Sequence, residues 1–135
     1  MTDIINHPAH YTGVTAEIEC IDIARHLNFQ LGNAFKYVWR AGKKGGRGKE
    51  IEDLKKALWY LEDSIQNGYN DLDQCDNLAS GLASIVTRGD DSVRGDILRD
   101  ITTYRIATAA NNLREMIRRR PNDKHNHPCF YRRRG

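Results

Sequence analysis

The groups best suited to chemistry lie in one run, Gly32-Asn33-Ala34-Phe35-Lys36-Tyr37-Val38-Trp39-Arg40-Ala41-Gly42-Lys43-Lys44. At helical spacing Phe35, Val38 and Trp39 share one side, and Asn33, Lys36, Tyr37 and Arg40 share the other. The first side can bury itself. The second carries two cations, an amide and a phenol toward a common point. Phosphate attracts cations and a flat base attracts an aromatic face, so this side suits a phosphorylated, ring-bearing ligand. Like charges one helical turn apart repel unless an anion or an acidic partner lies between them. Acids on other helices, such as Asp22 or Asp53, could equally fill that place. The run continues into Gly42-Lys43-Lys44-Gly45-Gly46-Arg47-Gly48-Lys49. Glycines let backbone approach a phosphate, Lys43, Lys44, Arg47 and Lys49 add charge, and the amides of a helix beginning after the loop would help. The spacing is not that of a P-loop, and a solvated loop is the ordinary alternative.

Other constellations are thinner. In His7-Pro8-Ala9-His10-Tyr11, His10 is a candidate ligand contact or general acid/base, and Tyr11 could stack on a base. The ordinary roles are a turn cap for His7 and an anchor for Tyr11. The His7/His10 pair and the cluster His125, His127 and Cys129 have metal-like spacing. The first lacks a third ligand nearby and the second sits in an arginine-rich terminal segment, so no metal is assigned. Glu17, Glu19, Asp22 and Asp53 are acids able to act as bases or bind magnesium, but their usual fate is an ion pair with Lys36, Arg40 or Lys56. His10 and Asp22 are the candidates for a catalytic base. No Ser-His-Asp or Cys-His arrangement is legible. Arg118-Arg119-Arg120 and Arg132-Arg133-Arg134, with Phe130 and Tyr131, invite a nucleic-acid reading. The net charge of only +3 favours a solvated tail, or one docked on the acidic 62–100 block of a neighbour, instead.

The elements that must position these groups read as helices. The chain of 135 residues fits one domain, and 39% hydrophobic content makes its core thin, so a homo-oligomer is expected. No stretch of about twenty apolar residues and no signal peptide is seen, which predicts a soluble, cytoplasmic protein without membrane contact. Cys20, Cys75 and Cys129 are widely spaced and odd in number, so reduced thiols are expected. Charge falls in blocks: basic over 36–56, acidic over 62–100 and basic over 114–134. Such blocks can complement one another between subunits or bind an anion.

Residues 1–16 read as irregular. Helices are predicted over 17–28, over 31–41 with a stop at Gly42, and over 49–67 with Ile51, Leu54, Leu58, Leu61 and Ile65 inward. The glycines of 42–48 are expected to form a loop. A fourth helix is expected over 71–86, with Leu72, Cys75, Ala79, Leu82 and Val86 inward. A long fifth helix should run from an N-cap at Ser92 to Arg120, ended by Pro121. No β pattern is present. The expected fold is all-α, about five helices, divided into a ligand-binding region 1–68, a helical extension 69–120 packing on it or on a neighbouring subunit, and a basic tail 121–135.

Several pieces together resemble the SaV-like phage family of unknown function that includes the phage T7 nucleotide kinase. They are His7-Pro8-Ala9-His10-Tyr11, Ile18-Glu19-Cys20-Ile21-Asp22, Phe29, Gly32-Asn33 through Lys44, and Asp53-Leu54-Lys55-Lys56-Ala57 with Trp59-Tyr60. The match runs over roughly residues 5–66. The resemblance implies a phage origin, action in the host cytoplasm and nucleotide binding, with His10, Tyr11, Asn33, Lys36, Tyr37, Arg40, Lys43 and Lys44 as ligand contacts. For the T7 member it implies a (deoxy)nucleoside monophosphate kinase without a Walker motif, which would need ATP and magnesium. Residues 67–135 match nothing in the family, so binding carries over more directly than catalysis. The alternative is a non-catalytic sponge that sequesters a (cyclic) nucleotide immune signal of the host. A third reading is a structural or nucleic-acid-binding accessory protein.

Overall fold

The computed structural model describes residues 17–43, 45–67 and 77–120. Among them are six helices and no strand: α1 (Cys20–Ala24), α2 (Phe29–Arg40), α3 (Gly46–Asn67), α4 (Asn77–Val86), α5 (Val93–Thr102) and α6 (Ile106–Arg119). The fold is all-α, as its periodicities require. None of these helices is long and apolar enough to cross a membrane.

α2 and α3 form an antiparallel hairpin at the centre. α2 buries Leu31, Ala34, Phe35 and Val38, and α3 buries Ile51, Leu54, Ala57 and Leu61. α5 packs on α2, α6 packs on α3, and the two pack on each other. They contribute Ile97, Ile101 and Leu113, all fully buried, to the same core. α1 lies on α2, and α4 bridges α1 and α5, with Ala79 and Ala83 inward.

Several boundaries differ from those expected. The first helix is Cys20–Ala24, not 17–28. Glu19 and Asp22 start it, the Glu19 amide donating to the Asp22 carboxylate at 2.8 Å. It stops because Asn28 is extended and caps the next helix, its side-chain oxygen accepting from the Leu31 amide at 2.9 Å. The apolar spacing from Ile21 to Leu27 runs on through that turn, so periodicity alone could not mark the break. α2 ends where predicted, with Gly42 at φ 85°. α3 begins at Gly46, inside the run expected to be a loop, and takes in Gly48. Its buried face is centred on Ala57 and Ser64, which leaves Leu58 half-buried and Ile65 exposed. The small side chains let the neighbouring helices approach closely on that side. In α4, Leu82 and Val86 are half-buried, while Leu72 and Cys75 lie outside the described residues.

The largest correction concerns the expected helix from Ser92 to Arg120. Ser92 is indeed its N-cap, its hydroxyl accepting from the Gly95 amide at 3.1 Å. Gly95 is required there, because a Cβ would lie 2.8 Å from Asp90 Cγ. The helix then breaks at Thr103–Arg105. The Arg105 amide donates to the Asp100 carbonyl and the Tyr104 amide to the Ile101 carbonyl, while Tyr104 takes φ 62°. This pair of bonds is a Schellman ending, with tyrosine where glycine is usual. α5 and α6 are therefore two arms of a bent hairpin.

Candidate functional site

The described part of the polar face of α2 meets α3 around one ring. Tyr37 lies against Tyr60 of α3, centroids 6.1 Å apart and planes within 12°. Three cations surround Tyr37: Lys36 Nζ at 4.6 Å, Arg40 Cζ at 5.3 Å and Lys56 Nζ at 5.5 Å from the ring centroid. Helical spacing explains the gathering. Lys36, Tyr37 and Arg40 fall within one turn of α2, and Asp53, Lys56 and Tyr60 share a face of α3. Each cation–ring contact at an exposed position contributes about 0.5–1 kcal/mol.

Asp53 fixes part of this arrangement. It is 1% exposed, and its Oδ1 faces Arg40 at 3.4 Å and Lys49 at 3.7 Å. Its Oδ2 is buried without a hydrogen-bond partner. Arg40 thus has Asp53, one of the two acids offered by the sequence as the alternative to a bound anion. Lys56 pairs with exposed Glu52 at 3.3 Å. Asp22, the other acid considered for that role, accepts from the Glu19 amide instead.

The remaining predicted residues divide between two places. Asn33 and Lys36 border an open groove of about 410 Å3 between α1 and α2, whose walls include Cys20, Ile21, Phe29 and Gly32. Asn33 donates to the Phe29 carbonyl of its own helix at 2.9 Å. Lys43 lies over Trp39, Nζ 4.9 Å from the ring centroid. Partial desolvation, reinforced by Arg94, holds the Lys43 ammonium below its ordinary value. His10, Tyr11 and Lys44, and both histidine clusters, lie outside the described residues. Among the described residues no group of three or more His, Cys, Asp or Glu could hold a metal ion.

Cys20, on the groove wall, has its thiol pushed up to about 11 by burial, against the opposing pull of Lys43 and Lys36. It should alkylate slowly near neutrality and speed up about tenfold per pH unit toward that value, because only the thiolate attacks. The folded state holds this proton more tightly than the unfolded chain does. Stability from this group is therefore present at neutral pH and lost as pH rises from about 9 to about 11. Iodoacetamide kinetics on the native chain against pH check this. A neutral-pH rate equal to that of free cysteine would contradict the burial.

Arg94 was not singled out by the sequence. From the first turn of α5 it donates Nη1 to the Ala41 carbonyl at 2.9 Å and Nη2 to the Trp39 carbonyl at 3.2 Å. These are carbonyls at the end of α2, where a cation is favoured. Arg120, at the end of α6, pairs with Glu50 near the start of α3 at 2.9 Å. Gly42 sits between the two contacts. A Cβ there would lie 3.5 Å from Glu50 Oε2 and 3.9 Å from Arg94 Nη1. The one local signal was an arginine in a helix's first turn, where the macrodipole disfavours it unless it reaches elsewhere.

Residues 5–62 match a family model described as a protein of unknown function, DUF3310. The stretch takes in α1, α2 and most of α3, with Tyr37, Asp53, Lys56 and Tyr60. The chain is also similar to the Gene 1.7 protein of Enterobacteria phage T3, 40% identical over 65 residues, or 43% of this chain and 39% of that protein. The aligned part thus spans well under half of that relative's length. No solved structure matches the chain. The family model stops at residue 62, so Arg94 and Arg120 lie beyond it.

Proposed function

We propose that this chain binds a nucleotide on α2 and α3, with its phosphate among Lys36, Arg40 and Lys56 and its base against the tyrosine pair. The convergence of three cations on the Tyr37 ring, from two helices, is the observation that supports this most. A phosphate there gains charge-assisted hydrogen bonds, and a stacked base gains aromatic contact, within one site. Asp53 keeps the Arg40 guanidinium in place before any ligand arrives, which lowers the ordering cost of binding.

The resemblance to a family with a nucleotide kinase extends the reading to phosphoryl transfer onto a deoxynucleoside monophosphate. Transfer needs positioning and electrostatic stabilisation above all, and the same cations would supply both. Sequestration of a host nucleotide signal is the second reading. It needs only the cations and rings, the groups gathered around Tyr37.

The test is to incubate the pure full chain with mononucleotides and cyclic nucleotides, with and without ATP and magnesium, and to recover the ligand by heating. New diphosphates are the expected result for a kinase, and unchanged ligand released only on denaturation is expected for a sponge. The Lys36→Ala/Arg40→Ala variant should bind about 100-fold more weakly, from the loss of two charge-assisted contacts. No binding by the native chain, or unchanged affinity in a folded double variant, would sink the site.

A further inference from the structure

We propose that the exposed rings of Phe29 and Trp59 extend the tyrosine site into a second stacking platform, so that the preferred ligand carries two bases joined by a phosphodiester. This rests on the nucleotide reading above and adds the ligand's size and class.

Phe29 begins α2 and is 69% exposed; Trp59 lies midway along α3 and is 53% exposed. Both touch Tyr60, Phe29 at 6.0 Å and 75° between planes, Trp59 at 5.1 Å and 88°. Four aromatic side chains therefore form one cluster across the hairpin, and its outer two expose more than half their surface. Tyr37 already has Tyr60 against one face, so at most one base can stack on it. A second base needs a separate ring, and Trp59 supplies it one residue from Tyr60. Lys56 stands one turn before both Trp59 and Tyr60 on α3, at the spacing that makes side chains neighbours. A phosphate linking two stacked bases would lie beside it.

Charge argues against a second copy of the chain as the occupant. A two-fold contact through this patch brings the same residues together from both sides. Lys36, Arg40 and Lys56 would then be gathered with their copies into one contact, although Asp53 and Glu52 already pair with two of them. An anion with flat apolar rings meets both the charge and the exposed aromatic surface. Stacking on an aromatic side chain is tolerant of base identity, so two platforms predict a preference for length before sequence.

Titration of the full chain with the common 5′-deoxymononucleotides and with their homodinucleotides tests this. The dinucleotides should bind at least about tenfold more tightly than the matching mononucleotides, the gain typical of one more stacked base. Trp59→Ala should remove most of that advantage and leave mononucleotide affinity within about twofold, and Trp59→Phe should keep it. Both variants change an exposed side chain, so the fold is expected to stand, with circular dichroism as the check. Equal affinity for the two ligand lengths overturns the second platform and leaves the tyrosine site intact. A sedimentation change from dimer to monomer in Trp59→Ala would also overturn it, because a second copy would then own the patch. If neither ligand length binds, the tyrosine site and its extension fall together.

Discussion

Replacing Phe35 with alanine is expected to destabilise the chain by about 3–5 kcal/mol, the usual cost of removing a fully buried aromatic ring. Phe35 heads the side chains with no solvent exposure when ranked by volume. It sits on the inner side of α2, opposite Lys36 and Tyr37, and its ring touches Trp39 at 5.7 Å. α2 contacts α1, α3 and α5, so the vacancy would open where four helices meet and could close only by moving several of them. Domains of this size are stable by about 5–15 kcal/mol, so the variant would lose a large share of the total. Its thermal midpoint should fall by roughly 10–20 °C. Chemical denaturation followed by circular dichroism measures the difference. A loss below about 1 kcal/mol would mean that the inner face of α2 is not the packing centre.

Arg40 and Asp53 should prove strongly coupled. Arg40→Ala leaves a buried carboxylate with Lys49 as its remaining cation, and Asp53 has no water to turn to. The expected loss is about 1–3 kcal/mol, below the full cost of breaking a buried pair because the Arg40 side chain is 44% exposed. Asp53→Asn removes the buried charge along with its partner's anchor. The double variant Arg40→Ala/Asp53→Asn should therefore be more stable than the sum of the single losses, by a coupling of about 0.5–3 kcal/mol. Nucleotide affinity should show no such recovery, because the ligand loses Arg40 in both cases. Additive stability effects would show that the 3.4 Å contact does not hold the two helices in register. A double variant that binds as well as the native chain would remove Arg40 from the site.

The parts that local spacing controls were legible. The two sides of α2, its stop at Gly42, the inward Ile51, Leu54 and Leu61 of α3 and the Ser92 cap all follow from residues within a turn of one another. The misreadings have separate causes. Gly46 and Gly48 looked like loop and became helix, because propensity is weak against the packing of a long amphipathic neighbour. The short α1 was hidden because apolar spacing continues past its end. Tyr104 gave no warning of a break, since tyrosine seldom takes a positive φ. For the site, the gathering of Lys36, Tyr37 and Arg40 was readable on one helix. Their meeting with Asp53, Lys56 and Tyr60 required the hairpin. The contacts of Arg94 with Ala41 and Trp39 span more than fifty positions of chain, and no spacing rule reaches that far.

The bend at Tyr104 has a mechanical consequence. Unbroken, residues 93–119 would make a rod about 40 Å long, enough to overshoot the body of a chain this size. Bent, they become tweezers. The tip of one arm holds the end of α2 through Arg94, and the tip of the other holds the start of α3 through Arg120. Both tips close on the same short turn, with Gly42 between their grips. The bend lies far along the chain from either tip, so the turn joining the two helices that bear the cations is held from two sides by residues that local sequence does not connect.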